Sequence, residues 1–229
     1  SIMRLRELCI KQKTATYNQL VALLREFNIR MSNKNGGLSA VIESTLEDAE
    51  NYFSMAFRYA LEASWQHYLS LTKSIDIYDD CLEKSISEHP DCKKLLKLEG
   101  VGTLNAVSLY IALGCADLGM FTKGKDAAAC IGLTPIQHSS GGKTKLGSIG
   151  KHVKNSTLRS QLISGAMSAV NHAVKRKAQA KTKKDIWIQA LVERRGKKCA
   201  AVALANKTVR TAFAMLTQGT EYKAELIAT

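Results

Sequence analysis

The chain opens on a helical pattern. Ile2, Leu5, Leu8, Cys9, Leu20, Leu23, Leu24 and Phe27 recur at steps of three and four residues. Turn formers then interrupt it at Ser32-Asn33-Lys34-Asn35-Gly36-Gly37. A second, longer row follows: Leu46, Ala49, Phe53, Ala56, Ala60, Ser64, Tyr68, Leu71, Ile75, Tyr78 and Leu82. Its alternating steps over about five heptads have the spacing of a coiled-coil seam. A helix carrying it to His89-Pro90 would be on the order of 70 Å long. This predicts two antiparallel arms of unequal length, paired within one chain or across a dimer. The alternative is a plain helical hairpin packed on its own domain. No catalytic constellation occurs in this half, whose acids are spread along the helix surface.

Residues 156–216 also read as helices. Leu158, Leu162, Ile163, Ala166 and Val170 form one stripe, Trp187, Leu191 and Val192 a second, and Val202, Leu204, Val209, Phe213 and Leu216 a third. Basic clusters link them: Lys175-Arg176-Lys177 to Lys183-Lys184, then Arg194-Arg195-Gly196-Lys197-Lys198. The expected fold is all-α, with coiled-coil arms over 1–92 and a compact basic helical domain over 93–229.

Charge sharpens this division. Residues 1–92 hold 10 Lys/Arg against 13 Asp/Glu, a net of −3, whereas residues 93–229 hold 23 against 7, a net of +16. Between Lys143 and Arg210 stand 17 basic residues and two acids, Asp185 and Glu193. Charge so concentrated points to a polyanion, because each cation set against a phosphate releases a condensed counterion. No basic stretch carries a clean aromatic face, and no window approaches 18 uninterrupted apolar residues, so a membrane partner is not expected. The first residues show no apolar signal core. The six cysteines lie far apart without a Cys-x-x-Cys pair and read as reduced thiols of a cytoplasmic protein.

Two stretches carry candidate chemistry. Residues 95–113 begin Leu95-Leu96-Lys97-Leu98-Glu99-Gly100-Val101-Gly102-Thr103, the pattern of a helix-hairpin-helix. In such a hairpin Gly100 and Gly102 let a phosphate approach the N–H groups opening the next helix. A glycine hairpin that merely joins two core helices has the same pattern, and the charge of Glu99 would not assist phosphate binding. Residues 135–147, Pro135-Ile136-Gln137-His138-Ser139-Ser140-Gly141-Gly142-Lys143-Thr144-Lys145-Leu146-Gly147, are polar and glycine-rich. They are expected to form an exposed loop presenting a serine hydroxyl, with Lys143, Lys145, Lys151 and Arg159 near in sequence. A serine attacking a phosphodiester needs help in losing its proton, and positive charge where the phosphorane oxygens develop. His138 is the neighbouring base. A flexible Gly/Ser loop that only binds phosphate is the alternative reading.

From 95 to 216 these landmarks, in order, resemble the C-terminal region of the DEDD-type insertion-sequence transposases, the IS-one-ten family, relatives of the Piv DNA invertases. They are Leu98-Glu99-Gly100-Val101-Gly102; Phe121 to Gly132-Leu133-Thr134-Pro135; His138-Ser139-Ser140-Gly141-Gly142-Lys143; Gly147-x-Ile149-x-Lys151; Asn155-x-x-Leu158-Arg159; and Ala203-Leu204-Ala205-Asn206-Lys207-x-x-Arg210. The acidic arms resemble the helical segment that precedes this region. The resemblance implies a nucleophilic serine that joins covalently to DNA, mapped onto Ser139 with Ser140 as the fallback. It also implies multimeric assembly and, in some members, an element-encoded guide RNA. The family's RuvC-like domain, with its Mg²⁺-binding Asp-Glu-Asp-Asp set, finds no counterpart here, so the chain is expected to be a C-terminal fragment or truncated copy, inert alone. Two places depart from the family pattern: Gly150 stands where many members have serine, and His152-Val153-Lys154 lengthens a turn.

The residues themselves argue against an independent metal nuclease. Glu99, Asp117, Asp126, Asp185 and Glu193 show no pairing that suggests a two-metal site, and His138, His152 and His172 are scattered. The expected function is therefore DNA transposition or site-specific recombination through a serine nucleophile, with no cofactor in this chain. The rival is a non-catalytic helix-hairpin-helix module that binds nucleic acid or scaffolds an assembly. A homodimer or higher oligomer through the arms is expected, since the seam would otherwise expose a large apolar strip.

Overall fold

The computed structural model describes residues 1–31, 37–48, 50–114, 120–150, 153, 156–176 and 182–223. The chain is mainly α-helical and divides into two compact units, Ser1–Glu83 and Lys84–Thr229.

The first unit contains α1 (Ile2–Glu26), α2 (Gly37–Glu47) and most of α3 (Met55–Glu88). Helices α1 and α3 run antiparallel, because partners on α3 fall in number as those on α1 rise. Arg6 Nε donates to Asp79 Oδ1 at 2.5 Å, the Tyr17 and Tyr68 rings lie 6.3 Å apart, and those of Phe27 and Phe57 lie 4.7 Å apart. Leu20, Leu24, Leu38, Val41, Ile42, Leu61 and Trp65 form the core of this unit.

Two sequence expectations change here. The single helix through the heptad row is instead two helices, α2 ending at Glu47 and α3 beginning at Met55. Arg58 donates to the carbonyls of Leu46 (2.8 Å), Asp48 (2.7 Å) and Asn51 (3.1 Å), so its guanidinium takes the place of helical N–H donors at that end of α2. Ser54 Oγ then accepts from the Phe57 N–H at 3.2 Å, as an N-cap residue would, and α3 begins. It runs 34 residues, about 50 Å, and ends where Pro90 forbids a continued ladder. The second change concerns the seam: Leu71, Ile75 and Leu82 are buried within the single chain. The exposed strip that was to demand a partner is already covered.

The second unit contains α4 (Pro90–Lys94), a 3₁₀ turn (Leu95–Lys97), α5 (Thr103–Ala112), α6 (Gly124–Cys130), β1 (Pro135–Ser140), β2 (Lys143–Ile149), α7 (Ser156–Lys175) and α8 (Lys183–Gln218). Helix α8 is broken at Gly196 (φ 80°, ψ 166°), where the sequence placed a link between two helices. Helix α7 packs on α8, α6 on α8, and α5 on α7. Ala166, Ala173, Ala200, Ala201, Ala205 and Ala212 are all buried, and side chains this small let the helix backbones approach closely. Leu95, Leu109, Leu113, Leu158, Leu162, Val170, Leu204 and Val209 fill the remaining core.

The hairpin formed by β1 and β2 is the departure from an all-α fold among the described residues. The sequence predicts an exposed loop at 135–147, and the structure makes it a hairpin. Gly141 (φ 58°) and Gly142 (φ 76°) supply the two left-handed residues of a tight two-residue turn. The strands pair antiparallel from Ser140↔Lys143 back to Pro135↔Ile149, with an irregularity between Pro135 and Gln137.

Candidate nucleic-acid interface

The hairpin stands out in solvent. Every residue from Gln137 to Ile149 is exposed, including Leu146 at 72%. Directly paired residues share a face, and successive residues alternate between faces. The register therefore sorts the candidate groups into two sets. Ser140, Lys143, His138 and Lys145 lie on one face; Ser139, Thr144, Gln137 and Leu146 lie on the other. Ser139 is exposed, as expected, but it points away from the face carrying Lys143. Ser140 shares that face with two lysines and a histidine, and no carboxylate occurs anywhere in the hairpin.

Arg159, the other cation expected beside the serine, sits at the hairpin's base. Its Nε donates to the Gly132 carbonyl at 3.1 Å and its Nη2 to the Ile149 carbonyl at 3.5 Å. A Cβ on Gly150 would lie 2.5 Å from Arg159 Nε, so the glycine that departs from the family pattern makes room for this guanidinium. Arg159 thus ties the end of β2 to the turn after α6 and orients the hairpin.

The remaining candidates divide by environment. Arg194, Arg195, Lys197 and Lys198 surround the Gly196 break, and all are exposed. Lys175, Lys183, Lys207 and Arg210 are exposed as well. Arg176 faces Asp185 at 3.6 Å and donates to the His172 carbonyl. Lys151, Lys177 and His152 lie outside the described residues. Lys123 and Lys125, which flank the first residue of α6, were not singled out from the sequence. They are isolated in it, and only folding brings them to α8.

The two glycines of the helix-hairpin-helix pattern have different surroundings. Gly100 (φ 77°) lies against α7, where an added Cβ would be 2.5 Å from the Gly165 carbonyl oxygen. Asn105 Nδ2 donates to the Gly100 carbonyl (3.2 Å) and to the Gln161 carbonyl (3.3 Å), locking the turn to α7. Gly102 precedes α5 as its N-cap and is open to solvent.

Glu99, the acid that fitted a phosphate-binding turn poorly, has a structural partner. Lys184 Nζ donates to Glu99 Oε2 at 2.6 Å and to Tyr222 Oη at 2.5 Å, and Tyr222 donates to Glu99 Oε1 at 2.7 Å. Lys184 is only 15% exposed and its ammonium is engaged, which separates it from the solvent-facing lysines. Burial alone would raise the Glu99 carboxyl, but the hydrogen bonds from Lys184 and Tyr222 outweigh it and hold the group below its ordinary value. A depressed native pKa gives stability that is present above the unfolded carboxylate value of about 4.3 and lost as pH falls through the native one. Glu99→Gln is expected to lower stability by about 1–3 kcal/mol at neutral pH. The gap in melting temperature from the unaltered chain should close as melts are taken from pH 7 down to pH 3. A gap that stays constant would mean packing, not the ion pair, joins these segments.

No disulfide joins the five described cysteines. Among the described residues, no group of three or more His, Cys, Asp or Glu side chains could hold a metal ion, and no helix is long and apolar enough to cross a membrane. The described residues therefore do not fit a two-metal centre.

Residues 92–183 match the family described as the transposase IS116/IS110/IS902 family. The chain is 32% identical over 223 residues to the transposase for insertion sequence element IS1111A of Coxiella burnetii, covering 97% of this chain and 59% of that protein. It is 29% identical over 224 residues to a probable family 20 transposase of Pseudomonas aeruginosa, covering 97% of this chain and 64% of the relative. It is 28% identical over 225 residues to the transposase for insertion sequence element IS1328 of Yersinia enterocolitica, again at 97% and 64%. The chain thus spans about three-fifths of the length of these curated relatives. It is similar over nearly all its own length to proteins named as insertion-sequence transposases, and over residues 92–183 to the IS116/IS110/IS902 family.

Proposed function

We propose that this chain is the DNA-joining part of an insertion-sequence transposase, acting in transposition or site-specific recombination through a serine on the β1–β2 hairpin. One observation carries the reading: an exposed hairpin presents Ser140 on the same face as His138, Lys143 and Lys145, with no acid to repel a phosphate. In the proposed step a serine Oγ attacks a DNA phosphorus and gives up its proton. A phosphorus–oxygen bond forms, the bond to one deoxyribose oxygen breaks, and that oxygen leaves with a proton. His138 is the local group able to take the serine proton, and Lys143 and Lys145 meet the charge that develops on the phosphoryl oxygens. The resemblance maps the nucleophile onto Ser139, whereas the hairpin register favours Ser140.

DNA is the partner the +16 half is built to meet. An element-encoded guide RNA belongs to the same proposal as a second polyanion. So does Mg²⁺, held by carboxylates that the resemblance places in a RuvC-like domain outside these residues. Assembly into a homodimer or higher oligomer also belongs to it. Its support is the exposed side of α3 that carries Met55, Tyr59 and Ile77, opposite Tyr68 and Leu61, with the polar Glu62, Gln66, Ser70 and Lys73 between them, not the buried seam. Light scattering should find an oligomer at tens of micromolar that Tyr59→Glu with Ile77→Glu dissociates; an unaltered chain that is monomeric there removes this part.

The central test is the covalent bond. With the metal-binding domain supplied, DNA should become attached to the protein through a link that survives denaturation. Sequence-tolerant DNA binding that never gives such a link would favour the non-catalytic binding module.

A further inference from the structure

We propose that the open cleft between the start of α6 and the C-terminal half of α8 clasps the sugar–phosphate backbone of duplex DNA, at a site separate from the serine hairpin. The proposal rests on the reading of the chain as a DNA-joining part and adds a second contact to it.

The cleft is about 930 Å³, and the charged side chains lining it are Lys123, Lys125, Lys207 and Arg210. Among the described residues, no carboxylate lines it. The nearest acid in sequence, Asp126, accepts a hydrogen bond from Thr122 at 3.4 Å and is not among the lining residues. All four cations are exposed. Their convergence is fixed by close packing: a Cβ on Gly124 would lie 3.3 Å from both the Cα and the carbonyl oxygen of Arg210. The Lys123-Gly124-Lys125 segment therefore crosses α8 at Arg210, placing one lysine on either side of the crossing.

The aromatic residues decide what kind of nucleic acid fits. Sites for single strands combine a basic groove with free ring faces on which bases stack. Here Phe213 is buried, and the Lys207 ammonium lies over the Trp187 ring, 5.0 Å from its centroid. Neither ring offers an open platform, which leaves a row of cations suited to phosphates alone. Such contacts position a duplex without reading its sequence.

The cleft also leads toward the hairpin. A smaller cleft of about 430 Å³, lined by Leu133, Ile149 and Lys198 among others, shares Ala203 and Asn206 with it. One surface thus runs along α8 from the base of β2 to Gln218. From Lys198 to Gln218 is about 30 Å of helix, the axial length of about nine phosphates of one B-form strand. A duplex gripped at Arg210 would extend toward the hairpin along this surface.

The experiment neutralises the four cations together, Lys123→Gln, Lys125→Gln, Lys207→Gln and Arg210→Gln. It compares them with a control of equal charge change among exposed cations of the first unit: Arg4→Gln, Lys11→Gln, Arg25→Gln and Lys73→Gln. Binding of labelled duplex DNA, of its single strand and of an RNA of the same sequence is followed by anisotropy over a salt series. Unchanged circular dichroism and melting temperature establish that each variant folds. The cleft variant is expected to lower the slope of log K against log salt on duplex by about 3–4, at roughly 0.9 per phosphate contact, and the control by less than 1. A cleft variant no worse than the control, while the unaltered chain still binds duplex, overturns the clasp and leaves the proposed function standing. A loss confined to single strand or RNA overturns it as well. An unaltered chain with no salt-dependent binding to any of the three overturns both readings.

Discussion

Ser140→Ala is expected to abolish the covalent protein–DNA link, while Ser139→Ala leaves most of it. The argument is one of faces. A serine that becomes a nucleophile must sit where a proton acceptor and compensating positive charge already are, since neither can be recruited cheaply once reaction begins. Pairing Ser140↔Lys143 and His138↔Lys145 places three such groups on the side of the ribbon that carries Ser140. Ser139 is paired with Thr144, beside Gln137 and Leu146, and has only neutral neighbours on its face. Arg159, a possible substitute, is engaged with the carbonyls of Gly132 and Ile149. Neither substitution should alter DNA affinity by more than a few fold, because one neutral hydroxyl contributes about 1 kcal/mol. The measurement is the amount of DNA that stays attached to each variant on a denaturing gel, with the metal-binding domain supplied. Loss in Ser139→Ala and retention in Ser140→Ala would return the nucleophile to Ser139. Retention in both would remove the serine mechanism.

What could be seen in the sequence followed from local rules. The helical stripes of α1, α7 and α8 are set by three- and four-residue spacing, and Pro90 marks the end of α3 because a proline cannot continue a helix. The break between α2 and α3 was hidden because the heptad row passes through it unbroken, from Leu46 by way of Phe53 to Ala56. Its signal was polar: Ser54 in the N-cap position and an arginine four residues later that reaches back to three carbonyls. The hairpin left a signal too, the Gly141-Gly142 pair suited to a two-residue turn. Without apolar alternation on either side, that pair reads as a loop. The site was legible as composition but not as geometry. Nothing local marks Lys184 as the lysine paired with an acid 85 positions away. Nor can the row of residues show that Lys123 and Lys125 meet α8. Those facts belong to tertiary contacts, which periodicity does not encode.

Gly100→Ala is expected to cause a large loss of stability, and Gly102→Ala a much smaller one, although the two glycines share one sequence motif. Two penalties meet at Gly100. Its φ of 77° is a left-handed conformation, which costs an L-residue roughly 1–2 kcal/mol. An added Cβ would also lie 2.5 Å from the Gly165 oxygen and 2.7 Å from its carbonyl carbon. These are backbone atoms of α7 and cannot swing aside as a side-chain tip could, so overpacking adds about 1–3 kcal/mol. The combined cost of about 2–5 kcal/mol is a large fraction of the 5–15 kcal/mol typical of a folded domain. At about 2–4 °C per kcal/mol, the melting temperature should fall by roughly 4–20 °C. Gly165→Ala should behave alike, because its Cβ would overlap the Gly100 carbonyl from the other side. Gly102, at φ −95° with nothing within 4 Å of an added Cβ, exchanges an N-cap glycine for alanine, a poorer N-cap residue, a cost of about 0.5–1 kcal/mol. Thermal melts of the three single variants test this directly. Equal losses at Gly100 and Gly102 would mean that the turn is not buttressed by α7. The expected inequality makes Gly102→Ala the variant with which to ask whether the start of α5 touches DNA, because a cost of about 0.5–1 kcal/mol leaves a domain folded.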